Sequence, residues 1–321
     1  PTQLHFELEA KCNLACRFCP VHEEPRGEPL TLDEWIGVIR SVQPWSPHVQ
    51  YVDFVNYNEP LICKDFWPLA WAINHMWGVG KVGLVTNGPV MTEDIAARVL
   101  GLCPRQVVFS VDAFTAETYA RVRPWAAKGE DGKLARREDP GLRDRVYANI
   151  NLYLAYMERI GSKTRPVIQM TVGDENWREG GAMRDHWTAR NIAAFESMCR
   201  TGRGGERPWT SPNDSPCRVV LDGLWVLSDG RVVACCEDWD GVDAVGNVRE
   251  ESLARFWDGP RIRAFRTAHF ERRKRDVKVC AGCKTSQDTT DHGRFPDNAD
   301  RAVLAAAEAG ALPAWPLGAA L

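Results

Sequence analysis

The sequence predicts an α/β fold: a partial (β/α)6 barrel of the TIM type, followed by a smaller module built on a β-hairpin and a helix. Three observations carry this. The first two hundred residues alternate strand-like and helix-like segments six times, as parallel strands joined by crossover helices do. The stretch "RTGRGGERPWTSPNDSP" (200–216) then breaks the pattern with Gly, Pro and Ser. Beyond it, two strand-like runs in "RVVLDGLWVLSDGRVVACC" flank Ser228, Asp229 and Gly230, a hairpin turn. The expected division is a barrel over 1–205, a second module over 206–290, and a tail over 291–321 whose Ala-rich start reads as helical.

Each element has a local reason. "LHFELEA" (4–10) alternates as a strand and runs into a cysteine-rich loop. "TLDEWIGVIRSV" (31–42) opens with Thr31 and carries Glu34 three residues on, a capping box ahead of Trp35, Ile36, Val38 and Ile39. "VQYVDFVN" (49–56) reads as a strand, "DFWPLAWAINHMW" (65–77) as a helix, and "KVGLVTN" (81–87) as the third strand. "MTEDIAARVLGL" (91–102), "QVVFSVD" (106–112) and a helix from Thr115 continue the alternation. A long helical stretch over 141–160 leads to strand "PVIQMTV" (166–172), then a helix around 177–188 and a sixth strand within "NIAAFESMC" (191–199). In such barrels chemistry gathers on loops at the C-terminal ends of the strands.

Composition excludes several classes. The chain has 321 residues, 44% hydrophobic and 26% charged, with a net charge of −3, so nothing biases it toward nucleic acid or an anionic membrane. No apolar run is long enough to span a bilayer. The first residues lack the layout of a signal peptide, which makes a cytoplasmic location and reduced thiols the expectation for its 11 cysteines. The basic run "ERRKRD" (271–276) has no interleaved aromatic residues and reads as a solvated helix end or linker.

"AKCNLACRFCP" (10–20) places Cys12, Cys16 and Cys19 in one loop. A structural zinc site uses four ligands, whereas three cysteines on a [4Fe–4S] cube leave one iron corner open to a small molecule. The spacing C-x3-C-x2-C after a first strand resembles the radical S-adenosylmethionine (SAM) superfamily. In that family the open iron chelates SAM, and electron transfer cleaves SAM to a 5′-deoxyadenosyl radical that abstracts a substrate hydrogen. The resemblance implies that Phe18 contacts the adenine. "NYNEPL" (56–61) looks like the family's GGEP-type segment, with Asn58 and Glu59 near the SAM amino group and Tyr57 and Asn58 replacing two glycines. "VTNG" (85–88) supplies Asn87, "FSVDAFTAETYARVRP" (109–124) supplies Ser110 and Arg123 for the ribose and carboxylate, and Gln169 is a further candidate.

A second group comprises Cys217, Cys235, Cys236, Cys280 and Cys283. By spacing alone it also fits a four-cysteine zinc ribbon. C-x12-G-x4-C, then "GNV" and a later C-x-x-C, resembles the SPASM/twitch extension of radical SAM enzymes. No cysteine follows Cys283, so the resemblance implies the twitch form, in which Cys217, Cys235, Cys280 and Cys283 hold one auxiliary [4Fe–4S] cluster.

The resemblance implies SAM and two [4Fe–4S] clusters as cofactors, a small-molecule substrate, and a reducing donor such as flavodoxin or ferredoxin. The spacing is similar to that of family members that oxidise a carbinol. Two-electron oxidation of a sugar or aminocyclitol is therefore expected, as in antibiotic biosynthesis, with Arg200 or Glu237 near the hydroxyl. Cys199 and Cys236 are further catalytic candidates, because in an epimerase such a thiol would return hydrogen to the substrate. A peptide maturase is another expectation, and a zinc-stabilised interaction module is the alternative outside the enzymes.

Overall fold

In the computed structural model, which describes residues 1–22, 26–198, 216–281 and 283, strands and helices alternate along the first two hundred residues. Leu4 and Phe6 of β1 (Gln3–Phe6) are buried against Trp35 of α1 (Leu32–Ser41) and against Phe54, so the intervening His5 points the other way. There it stacks on Trp225, with centroids 4.4 Å apart, and lies 3.9 Å from Asp53 of β2 (Tyr51–Asp53). The capping box at Thr31 and Glu34 is complete.

The alternation continues through α2 (Phe66–Trp77), β3 (Val82–Thr86), α3 (Glu93–Gly101), β4 (Gln106–Ser110) and α4 (Ala116–Val122). A hairpin that the sequence did not announce follows: β5 (Trp125–Lys128) and β6 (Leu134–Arg137). Then come α5 (Leu142–Arg159), β7 (Arg165–Val172), α6 (Gly180–Thr188) and β8 (Ala193–Met198). The sixth barrel strand therefore lies inside 191–199, as expected, while Cys199, Arg200 and the Gly/Pro-rich connector up to residue 215 lie outside the described residues. So does the tail over 291–321.

Among the described residues one sheet of nine strands has the order β1-β2-β3-β4-β7-β8, all paired in parallel, with three C-terminal strands continuing it on the other side of β1. This is the partial (β/α)6 barrel. The C-terminal region joins the same sheet: β9 (Gly223–Val226) pairs in parallel with β1, Gln3 opposite Gly223 and Phe6 opposite Val226. Upstream of Gly223 the chain corrects the sequence reading of a single strand-like run. Residues of α7 (Val219–Asp222) have no strand partner and curl into a helical turn, where the Val220 carbonyl accepts from Arg266 Nε at 3.3 Å. The hairpin itself is as expected, with β10 (Arg231–Val233) antiparallel to β9 and then β11 (Gly246–Asn247). Gly230 closes its turn at φ +87°, where a Cβ would stand 2.6 Å from Asn247 Oδ1. α8 (Leu253–Trp257), α9 (Pro260–Phe270) and α10 (Lys278–Ala281) complete the described module.

Candidate active site

The three-cysteine loop sits at the C-terminal mouth of the barrel and is pinned from the side by the unexpected hairpin. Ala15 N–H donates to the Pro124 carbonyl at 2.8 Å, Arg17 N–H to Val122 at 3.1 Å, and Ala126 N–H to Asn13 at 3.0 Å. Leu14 pairs with Trp125 as an antiparallel bridge, and Arg136 Nε donates to the Ala15 carbonyl. Few residues of the loop could otherwise pair their backbone, so this edge fixes it.

Cys12, Cys16 and Cys19 interact electrostatically with one another, and burial pushes the Cys12 thiol up to about 12. Asn87 Nδ2 donates to Cys12 Sγ at 3.4 Å and to Asn13 Oδ1 at 2.7 Å. Arg123 lies beneath the loop, 3.2 Å from Asp112 and bonded to the Ser110 carbonyl. Burial works against its charge, but Asp112 and Cys16 outweigh burial and hold the guanidinium protonated well above its ordinary value. Its Nε and the Asn87 Oδ1 are buried without a hydrogen-bond partner among the described residues.

Glu59 is turned inward. Its carboxylate accepts from Thr86 Oγ1 at 2.8 Å, Asn87 N–H at 2.6 Å and Leu61 N–H at 3.2 Å, while Glu59 N–H donates to the Lys11 carbonyl. Burial pushes it up to about 7 against the pull of these donors. It thus joins the ends of β1, β2 and β3 through the chain's own groups. Asn58 caps the same turn, its Oδ1 accepting from Asn56 N–H at 3.0 Å. Ser110 and Gln169 are register partners on β4 and β7, and Phe18 packs half-buried against the core.

The second cysteine group converges as well. Cys217 lies near Cys235 and Cys280, and Cys280 near Cys283. The Cys236 and Cys235 thiols share a hydrogen bond, and Cys236 Sγ stands 3.9 Å from Glu237 Oε1. His269 is buried between Cys217 N–H, which it accepts at 3.0 Å, and Cys280 Sγ, 3.4 Å away. Burial, then the Lys274 charge, push His269 down to about 4.

Sequence reasoning saw in Tyr57 only a missing glycine. The phenol is pushed well above its ordinary value by burial and then by Glu237, Cys236, Cys19 and Cys235, so members of both cysteine groups act on it. Beside it a shallow cleft is lined by Ala10, Pro20, Val21, Arg26, Tyr57 and Trp239. Beneath the cleft Glu7, fully buried, binds Arg26 at 2.9 and 3.2 Å, Tyr57 N–H at 3.1 Å and Ser228 Oγ at 3.2 Å, while Arg26 also donates to the Trp239 carbonyl. Glu7 thereby joins barrel and C-terminal module. Its signal in sequence was only a charge one residue past the end of β1.

These donor sets suit iron–sulfur cubes. A cube gives each cysteine an iron of its own, so the three clustered thiols leave one iron open and the four of the second group close theirs. The orphaned Arg123 Nε and Asn87 Oδ1 beside Cys12 and Cys16 offer a donor and an acceptor to a zwitterion such as SAM.

A partial barrel with a cysteine triad at its mouth and a second cysteine centre beside it defines an iron–sulfur protein of the radical type. The model of the radical SAM superfamily matches residues 9–176, half of the chain, and that of the SPASM iron-sulfur cluster-binding domain matches 217–284. The chain belongs to the radical SAM superfamily. Its cofactors are SAM and [4Fe–4S] clusters, one of them auxiliary.

Among curated relatives it is similar to GTP 3′,8-cyclase of Synechococcus sp. (strain CC9605), 34% identical over 153 residues, 43% of this chain and 42% of that protein. It also resembles molybdenum cofactor biosynthesis protein 1 of Dictyostelium discoideum, 31% identical over 98 residues, 29% of this chain and 15% of that one. The chain thus spans less than half the length of these relatives. Among solved structures, BtrN in complex with AdoMet and 2-DOIA has TM-score 0.59 at 16% identity, covering 91% of this chain and 96% of that one. SuiB of Streptococcus suis bound to precursor peptide SuiA has TM-score 0.57 at 14% identity, covering 83% and 67%. Native anSMEcpe with bound AdoMet has TM-score 0.60 at 14% identity, covering 91% and 92%. At these identities the likeness is one of fold. No helix among the described residues is long and apolar enough to cross a membrane.

Proposed function

We propose that the chain oxidises a carbinol of a small polar molecule, a sugar or aminocyclitol, by two electrons. The observation that carries this is Tyr57, on which Cys19 of the first cysteine group and Cys235, Cys236 and Glu237 of the second all bear. A substrate beside it lies between the two cysteine centres with a carboxylate at hand. When bound, SAM and its cluster supply radical hydrogen abstraction at carbon, and the auxiliary cluster supplies an acceptor for one electron.

Cys12, Cys16 and Cys19 would hold the first cluster, and Cys217, Cys235, Cys280 and Cys283 the auxiliary one. Arg123 offers its free Nε–H to the SAM carboxylate and Asn87 its Oδ1 to the amino group, with Ser110, Gln169 and Phe18 around the nucleoside. Glu59 and Asn58 hold the rim that would lie nearest the amino group. Glu237 takes the substrate hydroxyl proton through its Oε atoms. The Tyr57 phenol donates to a substrate oxygen and orients it. A flavodoxin or ferredoxin serves as reductant.

Anaerobic incubation of the reconstituted protein with SAM and dithionite tests this. 5′-Deoxyadenosine forms above the level of a Cys12→Ala/Cys16→Ala/Cys19→Ala control, and its absence refutes the assignment. Cys236, 3.9 Å from Glu237 Oε1, favours one second function, epimerisation with this thiol as hydrogen donor. Deuterium from solvent at the substrate carbon decides for the epimerase; an oxidised product without deuterium decides for the dehydrogenase.

A further inference from the structure

The basic run at 271–276 is not uniformly solvated. Lys274 is 2% exposed, and its Nζ has no hydrogen-bond partner among the described residues. Its charge bears on Cys280 and on His269. A buried ammonium without partners costs several kcal/mol, roughly, unless a counter-charge stands near. The Asp243 carboxylate, which accepts from Val279 N–H at 2.6 Å, also bears on Cys280, with the opposite sign. Cys280 lies within reach of the ammonium's charge, and a [4Fe–4S] cube held there by four thiolates would be a net anion.

His269 adds a directed bond to the same sulfur. Its Nδ1 accepts from Cys217 N–H at 3.0 Å, so that nitrogen carries no proton. In the neutral ring the proton is therefore on Nε2, which stands 3.4 Å from Cys280 Sγ and can only donate to it.

We propose that Lys274 and His269 form a cationic, hydrogen-bonding shell at Cys280 that raises the reduction potential of the auxiliary cluster and so fits it to accept an electron. The inference rests on the assignment of Cys217, Cys235, Cys280 and Cys283 as its ligands. The physical cause is that one-electron reduction, [4Fe–4S]2+ to [4Fe–4S]+, adds negative charge to the sulfurs. An N–H donor and an ammonium stabilise that charge more than they stabilise the oxidised form. Both residues act through Cys280 and are positioning residues.

The test uses the full chain carrying Cys12→Ala/Cys16→Ala/Cys19→Ala, so that only the auxiliary cluster contributes, and an EPR-monitored titration with dithionite. Asparagine keeps the acceptor for Cys217 N–H and loses the bond to sulfur; glutamine keeps a donor at the Nε2 position and loses the acceptor. H269N and K274M each make the cluster at least about tenfold harder to reduce, a shift of about 59 mV for a one-electron couple. H269Q and K274R stay near the parent. A purely structural histidine gives the reverse order, H269N like the parent and H269Q shifted, and overturns its role. Should the His269 variants not retain iron, the K274M and K274R pair decides alone. Unchanged potentials in clusters that assemble normally overturn the inference and leave the ligand assignment standing. Loss of all iron from the triple-alanine parent, or iron retained after Cys217→Ala/Cys235→Ala/Cys280→Ala/Cys283→Ala, overturns the ligand assignment and the inference with it.

Discussion

Removing Arg26 while leaving Glu7 in place strips a fully buried carboxylate of its counter-ion. Glu7 has no exposure and the Arg26 side chain only 7%. The pair makes two contacts, at 2.9 and 3.2 Å, and Glu7 would retain only Tyr57 N–H and the Ser228 donors. Breaking a buried ion pair from one side costs about 3–5 kcal/mol. For a chain of this size about 2 °C of melting temperature accompanies each kcal/mol, so Arg26→Met lowers it by about 6–10 °C. Glu7→Gln leaves the arginine with a neutral acceptor and costs less. Urea midpoints and calorimetric melting of both single variants and the double variant form a thermodynamic cycle. The double variant is less destabilised than the sum of the singles by more than about 1 kcal/mol. A shift below about 2 °C for Arg26→Met, or singles that simply add, would refute the claim that this pair joins the barrel to the C-terminal module.

Gly230→Ala puts a side chain at φ +87° and 2.6 Å from Asn247 Oδ1; unfolding midpoints fall by more than about 2 kcal/mol and iron occupancy drops with them. Arg123→Lys keeps the charge but loses the fork that reaches past Asp112, so calorimetry shows SAM binding to the reconstituted protein weakened roughly 10-fold or more. Arg249, 2.8 Å away, and then the Thr31 backbone N–H hold the Glu34 carboxyl down to about 2. That value lies below the unfolded value of about 4.3, so its stabilisation is complete above pH ~4.3 and fades as pH falls toward 2. Glu34→Gln therefore destabilises the apoprotein by about 0.5 kcal/mol at pH 6, solvent screening included, and the gap closes by pH 2 in urea titrations.

The barrel was legible because parallel strands buried on both faces write apolar runs into the sequence, and because caps such as Thr31 with Glu34 mark helix starts. The cysteine loop was legible because three thiols at fixed spacing are chemically unusual. The hairpin of Trp125–Lys128 and Leu134–Arg137 was not, since "WAAKGEDGKLARR" has little apolar alternation and owes its pairing to the cysteine loop beside it. Val219–Asp222 read as strand from β-branched composition, yet β1 offers no partner before Gly223. Lys274 and Glu7 were invisible for a common reason. A charge in sequence carries no sign of burial, and only the fold shows which ones face a buried anion or cation.

The parallel pairing of Gly223–Val226 with Gln3–Phe6 has a consequence for biosynthesis. The first strand leaves the ribosome more than two hundred residues before the strand that covers its outer side. Until then the barrel's leading strand presents unpaired backbone groups beside Leu4 and Phe6, the kind of surface that recruits other chains. Contacts so distant along the chain also form late. A nascent or truncated product ending before residue 216 thus carries an open, sticky margin, and the C-terminal module protects solubility in addition to any electron it receives.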